Sequence, residues 1–285
     1  MRRHRIHRRI RRRLAVGLGA CALFLPVALT APPQTATASP SVPGPRAKLV
    51  FSDYFTTQDW GRPGATWSTY SSAYPNGRTN HEDWKLDRVT PGAVTLVQGG
   101  GVQFRATPAT RRPAGTWAAG LLTTEPWGDG SRGGNGFAVR PGDYVVVRLR
   151  LPDRDGGGGH GAWPGVWTWK DGDNEVDILE WHGETPDLAE LVNHVGGHAY
   201  AWVRSGLLGF GKWVYVGARF GTRSVTWYLG GSLTHMRAVF SDHQGVPSDW
   251  RAYLVVNLSV SSQDGRTPVA LTPITSEVSS IRVYR

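Results

Sequence analysis

Three carboxylates, Glu175, Asp177 and Glu180, fall within six positions of the stretch Asp173-Asn174-Glu175-Val176-Asp177-Ile178-Leu179-Glu180-Trp181, with aliphatic residues between them. The Asp, Asn and Gly before them mark a turn, and the Val, Ile and Leu mark a strand. Side chains alternate on a strand, so Glu175 and Asp177 share one face while Val176 and Ile178 take the other. Glu180 is out of phase by one residue. A single β-bulge at Ile178-Leu179 returns it to the carboxylate face and keeps the aliphatic pair buried. The two glutamate Cα atoms then lie about 13 Å apart, roughly four strand steps. Inward-leaning side chains can close to about 5–5.5 Å between carboxyls, the spacing used to cleave a glycosidic bond with retention. Like charges about 6 Å apart repel by roughly 3 kcal/mol at an effective dielectric of about 20. One outer glutamate is therefore expected to keep its proton near neutrality while the other ionises, which sets an acid beside a nucleophile.

Two blander readings compete with this one. Asp171 to Asp177 has the acids of a calcium loop, but not the glycine at the sixth position or the glutamate at the twelfth of an EF-hand. An acidic strand turned to solvent is the other. It leaves unexplained Trp181 and the run Gly161-Ala162-Trp163-Pro164-Gly165-Val166-Trp167-Thr168-Trp169 just before the acids. Sugars stack their C–H faces on aromatic rings, so a tryptophan-lined cleft suits a polysaccharide. Of the 13 tryptophans, Trp163, Trp167 and Trp181 are the candidates, because they flank the carboxylates. Trp202, Trp213 and Trp227 lie in alternating strands and are read as core.

Other polar residues carry weaker signals. Asn257 lies opposite in phase to Leu254, Val256, Leu258 and Val260, so it is expected on the cleft face. Asn257-Leu258-Ser259 matches a glycosylation acceptor, but its position inside an alternating strand favours a structural role. His182 is read as a rim residue. His194 and His198 could pair on a metal, yet no third ligand stands near them in sequence, and catalytic zinc needs three. No metal ligand is assigned and no cofactor is required; a structural calcium ion is left without a site. No Gly-x-Ser-x-Gly elbow occurs, so there is no serine-hydrolase signal.

The elements that must hold these residues are short strands between turns: 49–55, 94–97, 102–106, 144–151, 212–220, 223–229, 250–260 and 278–284. The clearest has Val145, Val147, Leu149 and Leu151 on one face and Arg148 and Arg150 on the other. No segment sustains a helical period, and 37 glycines and 19 prolines punctuate the chain. This predicts an all-β fold, a two-sheet β-sandwich of jelly-roll type with the cleft on its concave face. The intervals 76–91, 107–135 and 153–161 are too long for hairpins and are expected to be loops that carry binding residues, His81, Trp84, Trp117 and Trp127 among them.

The first 38 residues stand apart. Eight arginines and no acid fall in residues 1–13, an apolar run follows from Leu14 to Ala31, and Ala36-Thr37-Ala38 offers a small-x-small cleavage site. This reads as a secretory signal peptide, which makes the protein extracellular and not membrane-bound once cleaved. Leu18-Gly19-Ala20-Cys21 mimics a lipoprotein box, but apolar sequence continues past the cysteine. Residues 39–48 read as a flexible lead-in and 49–285 as one domain. The whole chain carries a formal charge of +10, but beyond residue 38 there are 24 basic and 22 acidic residues, a net of +2. That gives no footing for nucleic acid or an anionic membrane. Cys21 is the only cysteine, so the domain has neither a disulfide nor a thiol nucleophile. A monomer is expected.

At these residues the chain resembles glycoside hydrolase family 16, the β-jelly-roll endoglucanases related to laminarinases. Glu175-Val176-Asp177-Ile178-Leu179-Glu180 resembles that family's E-x-D-x-x-E signature in its bulged form, and Gly161 to Trp167 its G-x-W-P-A-x-W segment. The stretches Leu49–Phe55, Ser224–Gly230, Leu254–Leu258 and Ile281–Tyr284 are similar to other strands of the family, so the likeness runs through the whole domain. It implies Glu175 as nucleophile, Asp177 as assisting carboxylate and Glu180 as acid/base, with Trp163 and Trp167 along the cleft and His194 on the strand after the motif. Two departures touch the sugar subsites: Asn174 stands where a glycine is usual, and Ser261-Ser262 replaces a Gly-Gly. The bulged form resembles that of laminarinases, agarases and carrageenases, and with no marine-type signal in the sequence the expected substrate is a β-1,3-glucan. A carbohydrate-binding protein without turnover, a transglycosylase, and a hydrolase of mixed-linkage glucan or galactan are the competing expectations.

Overall fold

The computed structural model describes residues 47–79, 84–108, 117–154, 159–171, 174–263, 268 and 272–285. The expected signal peptide, nearly all of the lead-in, and His81, Asp173 and Gly156–Gly158 lie outside them.

In chain order the strands are β1 (Leu49–Asp53), β2 (Asp87–Val89), β3 (Val94–Leu96), β4 (Val102–Pro108), β5 (Trp117–Ala119), β6 (Leu121–Thr123), β7 (Ala138–Val139) and β8 (Tyr144–Arg150). Then come β9 (Ala162–Trp169), β10 (Val176–Glu180), β11 (Leu188–Asn193), β12 (Ala199–Arg204), β13 (Trp213–Phe220), β14 (Val225–Gly230), β15 (Met236–Ser241), β16 (Ala252–Val260) and β17 (Ile274–Tyr284). Among the described residues the only helical pieces are three single 3-10 turns.

These strands form two sheets. One runs β15-β14-β13-β8-β17-β4-β5-β2, with β1 added on β17 and β3 on β4; the other runs β12-β11-β10-β9-β16-β6, with β7 on β16. Alternation sets the packing between them. Val145, Val147 and Leu149 of β8 and Val214, Val216 and Ala218 of β13 share one buried cluster with Val166 of β9, Val176 and Leu179 of β10, and Leu254 and Val256 of β16. Each such side chain taken fully out of water is worth about 1.5–3 kcal/mol. The all-β sandwich expected from the sequence is the fold observed.

The predicted strands are all present; β7, β9 and β15 lie where none was expected, and three further stretches differ. The interval 107–135, expected to be loop, holds β5 and β6, and 76–91 holds β2. Strands of three residues are too short for a two-residue period to show. β17 begins at Ile274, four positions before the predicted start at Val278, because Ile274 and Ser276 already alternate inward with Val278.

Candidate active site

The seven-stranded sheet turns one face to the core and the other to a cleft. On β9 alternate residues part: Trp163, Gly165, Trp167 and Trp169 line the cleft, while Ala162, Pro164, Val166 and Thr168 are buried on the other face. Glu175, Asp177 and Glu180 open into the same cleft, facing Asn257 and Ser259 of β16.

What turns all three acids one way is a bulge. Against β9, Asp177 pairs with Trp167, Leu179 with Val166 and Glu180 with Gly165, so Ile178 is the extra residue. Against β11, Asp177 pairs with Val192 and Glu180 with Glu190, and the register shifts in the same interval. Ile178 and Leu179 are both buried, at 1% and 0% exposure. A regular strand would have to expose one of them or bury Glu180, and the bulge avoids both. It also turns the Asp177 carbonyl into the interior, where the Trp227 Nε1–H of β14 donates to it at 2.8 Å. Trp227 is thus core, as read from the sequence, and it anchors the bulge from the opposite sheet.

Each acid has its own partners. Glu180 Oε1 accepts from Trp163 Nε1–H at 2.8 Å. Asp177 Oδ2 lies 2.9 Å from His194 Nε2, and His194 Nδ1 lies 3.2 Å from His198 Nδ1. The Asp177 carboxyl also hydrogen-bonds Glu175, whose backbone carbonyl accepts from His194 N–H at 3.1 Å. Burial raises the Asp177 pKa well above the usual carboxylate range, helped by the charges of Glu175 and Glu190 and opposed by Lys85. Glu180 is raised as well, chiefly by burial, then by Asp177, Glu190 and Glu175, while the Trp163 hydrogen bond pulls the other way. Glu180 is partly exposed along its length, yet desolvation of its carboxyl still dominates. A protonated Asp177 can donate to Glu175 and accept from His194 Nε2–H, which leaves His194 Nδ1 to accept from His198. One assignment of protons satisfies the whole row.

Asn257 reaches the cleft as its phase predicts. Its Oδ1 accepts from Trp167 Nε1–H at 3.0 Å, and its Nδ2 donates to Ser259 Oγ at 2.7 Å and to the Tyr74 hydroxyl at 3.2 Å. At 7% exposure inside β16 it is a structural asparagine and not a glycan acceptor. Trp163 lies in a row of rings, stacked 5.7 Å from Trp84 and 5.5 Å from His182.

Trp181 is not a cleft residue. It is fully buried, packs edge-on against Phe210 at 5.5 Å and donates Nε1–H to the Pro186 carbonyl. The bulge that sends Glu180 outward necessarily sends its neighbour inward. His182, expected at the rim, is 2% exposed and bonds Glu190 Oε2 through Nε2 at 3.1 Å. Trp202 and Trp213, expected in the core, are 41% and 37% exposed.

The cleft also has residues that the sequence did not single out: Tyr74, Lys85, Trp169 and Ser259. Burial and then the charge of Asp87 push the Tyr74 phenol upward, so it stays a neutral hydroxyl beside Asn257. Lys85 Nζ sits over Trp84 at 5.1 Å and Trp163 at 5.7 Å, held beside the acids by a bridge from Lys85 to Ser261. Trp169 Nε1–H donates to Ser72 Oγ, which in turn donates to Glu125.

Among the described residues, Glu175, Asp177 and His194 are a group with metal-ligand donors, one atom of each lying within 4.8 Å of the others. Those donors are already engaged with one another through Asp177, so an ion there would have to break the Asp177–His194 bond. Among the described residues no helix is long and apolar enough to cross a membrane.

Solved structures share this architecture. The catalytic domain of an endo-1,3-β-glucanase (laminarinase) from Thermotoga petrophila RKU-1 matches with a TM-score of 0.64 at 18% identity, over 84% of this chain and 98% of its own. The fold is that of the laminarinases. SCLam, a non-specific endo-β-1,3(4)-glucanase from family GH16, matches at 0.62 and 22% identity over 84% of this chain and 91% of its own. A LamA variant from Zobellia galactanivorans, solved with laminaritriose and laminaritetraose, matches at 0.60 and 19% identity over 83% of this chain and 98% of its own. No family model matches the sequence, and neither does any curated protein. At these identities the likeness to the laminarinases is one of fold, and any chemistry has to be argued from the cleft itself.

Proposed function

We propose that this protein is a secreted, monomeric, retaining endo-glycosidase that hydrolyses a β-linked glucan, with β-1,3-glucan as first choice. The observation that carries this reading is the bulge at Ile178, which turns Glu175, Asp177 and Glu180 together into an aromatic-lined cleft. The laminarinase fold and the laminari-oligosaccharides bound to the LamA variant support the choice of glucan.

Glu180, kept protonated by burial and its acidic neighbours, gives its proton to the leaving glycosidic oxygen while a Glu175 carboxylate oxygen attacks the anomeric carbon. The C–O bond to the leaving sugar breaks as the ester to Glu175 forms. That ester removes a negative charge next to Glu180, which then ionises more readily and takes a proton from water. The water oxygen displaces Glu175 and the configuration is restored. Asp177 holds the Glu175 carboxyl in line, and His194 holds Asp177. These steps call on protein groups alone.

Reducing-sugar release should be measured on laminarin, lichenan, agarose and xyloglucan side by side, with laminarin the best substrate. Azide added to the Glu175→Gly protein should yield the α-glycosyl azide and added to Glu180→Ala the β anomer; one anomer from both would overturn the roles. A protein that binds laminarin but releases no reducing ends would be a carbohydrate-binding module, and products longer than the substrate would mark transglycosylation.

A further inference from the structure

Two large aromatic side chains, Tyr200 and Trp202, stand on the edge strand β12 at 64% and 41% exposure. Directly opposed residues of antiparallel strands point to the same face of a sheet. Glu180 is opposed by Glu190 and Glu190 by Trp202, while Asp177 is opposed by Val192 and Val192 by Tyr200. Both rings therefore stand on the carboxylate face, two strands from β10 and about 10 Å away across the sheet. Ring contacts join Trp202 to the cleft. Trp202 lies 5.8 Å from His182, and His182 lies 5.5 Å from Trp163, which binds Glu180.

From this geometry we infer that Tyr200 and Trp202 form a remote sugar-binding platform, a subsite beyond the reacting sugar on the β12 side of the cleft. The inference rests on the glycosidase reading of the cleft. Its occupant is the same polysaccharide chain: β12, β11, β10 and β9 are successive neighbours in the sheet, so a sugar run laid across the strands from Trp167 past the acids arrives on β12. An exposed aromatic on an edge strand invites unwanted pairing. Stacking on a sugar face is a use for two such rings that their register with the acids favours.

The test pairs Trp202→Ala and Tyr200→Ala with wild type on laminarin and on a short aryl β-laminaribioside. A stacked ring lost from a platform should raise KM for laminarin about three- to tenfold and leave kcat within about twofold. The loss in kcat/KM on laminarin should exceed that on the short substrate, and Trp202→Phe should recover most of it. Equal losses on both substrates would show a structural role, no change would show an idle surface, and a wild-type dimer split by Trp202→Ala would show a contact between copies. Each of these overturns the platform. Affinity electrophoresis of the Glu175→Gln protein in laminarin gels, with and without Trp202→Ala, separates the two ideas. Weaker binding with Trp202→Ala supports the platform even if wild type fails to hydrolyse laminarin, whereas equal or no binding overturns it whatever the turnover.

Discussion

At the scale of single residues, the cleft gathers three carboxyls, and burial followed by their mutual charge raises Asp177 and Glu180 well above the usual carboxylate range. Asp177 is buried at 3% exposure and hydrogen-bonded to both Glu175 and His194. Its raised pKa makes it the proton donor in its bond to Glu175. Asparagine can reproduce both bonds, with its amide N–H toward Glu175 and its oxygen toward His194, and alanine can reproduce neither. Asp177→Asn should therefore keep activity within about tenfold of wild type, while Asp177→Ala loses about 10²–10³ in kcat, the usual result of removing one oriented donor. Steady-state kinetics on laminarin read the difference; equal losses would mean that Asp177 acts by its charge. Glu190 tests the other source of the shift. It raises both Asp177 and Glu180, but it stands on the neighbouring strand and bonds His182. Glu190→Gln removes a negative charge, which makes Glu180 easier to ionise and lowers its pKa. The alkaline limb of the kcat/KM profile, which reports loss of the acid's proton, should move to lower pH. Movement the other way would mean that another group sets that limb.

At the scale of elements, the bulge in β10 decides the site. It could be read from the sequence because Glu180 is one step out of phase with Glu175 and Asp177, with two adjacent aliphatics in between. The same phase argument puts Trp181 in the core; nearness in sequence to the acids misled where alternation would not. Trp202 and Trp213 show the limit of alternation. It tells which residues share a face, but not which face meets the core: Trp202 stands on the cleft face of the edge strand β12, and Trp213 opens β13 on the outer face of the larger sheet, under the Arg148 guanidinium. Tyr74 and Lys85 had no local signal at all. They reach the cleft through distant partners, Asn257 and Ser261, and only the closed sheet brings these together. The bulge also yields a deletion experiment. Removing Ile178 leaves Glu-Val-Asp-Leu-Glu, a regular strand that still turns all three acids outward and both remaining aliphatics, Val176 and Leu179, inward. That protein should fold, with cooperative thermal unfolding, and keep activity within about 10²-fold, since Glu180 is displaced but still faces the cleft. Removing Val176 instead puts Glu175 on the opposite face from Asp177 and Glu180, and activity should drop to background. Reducing-sugar assays on the two folded deletions would refute the register argument if ΔVal176 proved the more active.

At the scale of the whole sandwich, the cleft sheet packs its inner face on the larger sheet behind it through one shared core. β17 lies at the middle of that sheet, paired with β8 and β4 and carrying β1. Beyond β17 the pairing continues: Lys48 and Arg285 exchange both backbone hydrogen bonds at 2.8 Å. The Arg285 guanidinium then grips Asp143, Nε to Oδ1 at 2.7 Å and the second nitrogen to Oδ2 at 2.8 Å. Asp143 is 0% exposed at the entry to β8, and its Oδ2 also accepts the Arg140 backbone N–H. A two-point clamp of this kind is stronger than a surface ion pair, because Asp143 has left water and Arg285 is its charge partner. Arg285→Ala leaves that carboxylate buried with only backbone support, at a cost of about 1–3 kcal/mol. For a domain of this size, that lowers Tm by about 2–4 °C per kcal/mol. Arg285→Lys should recover part of the loss but not all, because an ammonium cannot form the second bond in the same plane. The clamp lies on the sheet that does not carry the acids, so kcat/KM on laminarin below the transition should be the same in both variants. A fall in kcat/KM at a temperature where the fold is intact would mean that β17 transmits strain across the core to β10. An unchanged Tm would mean that water solvates Asp143 once Arg285 is gone.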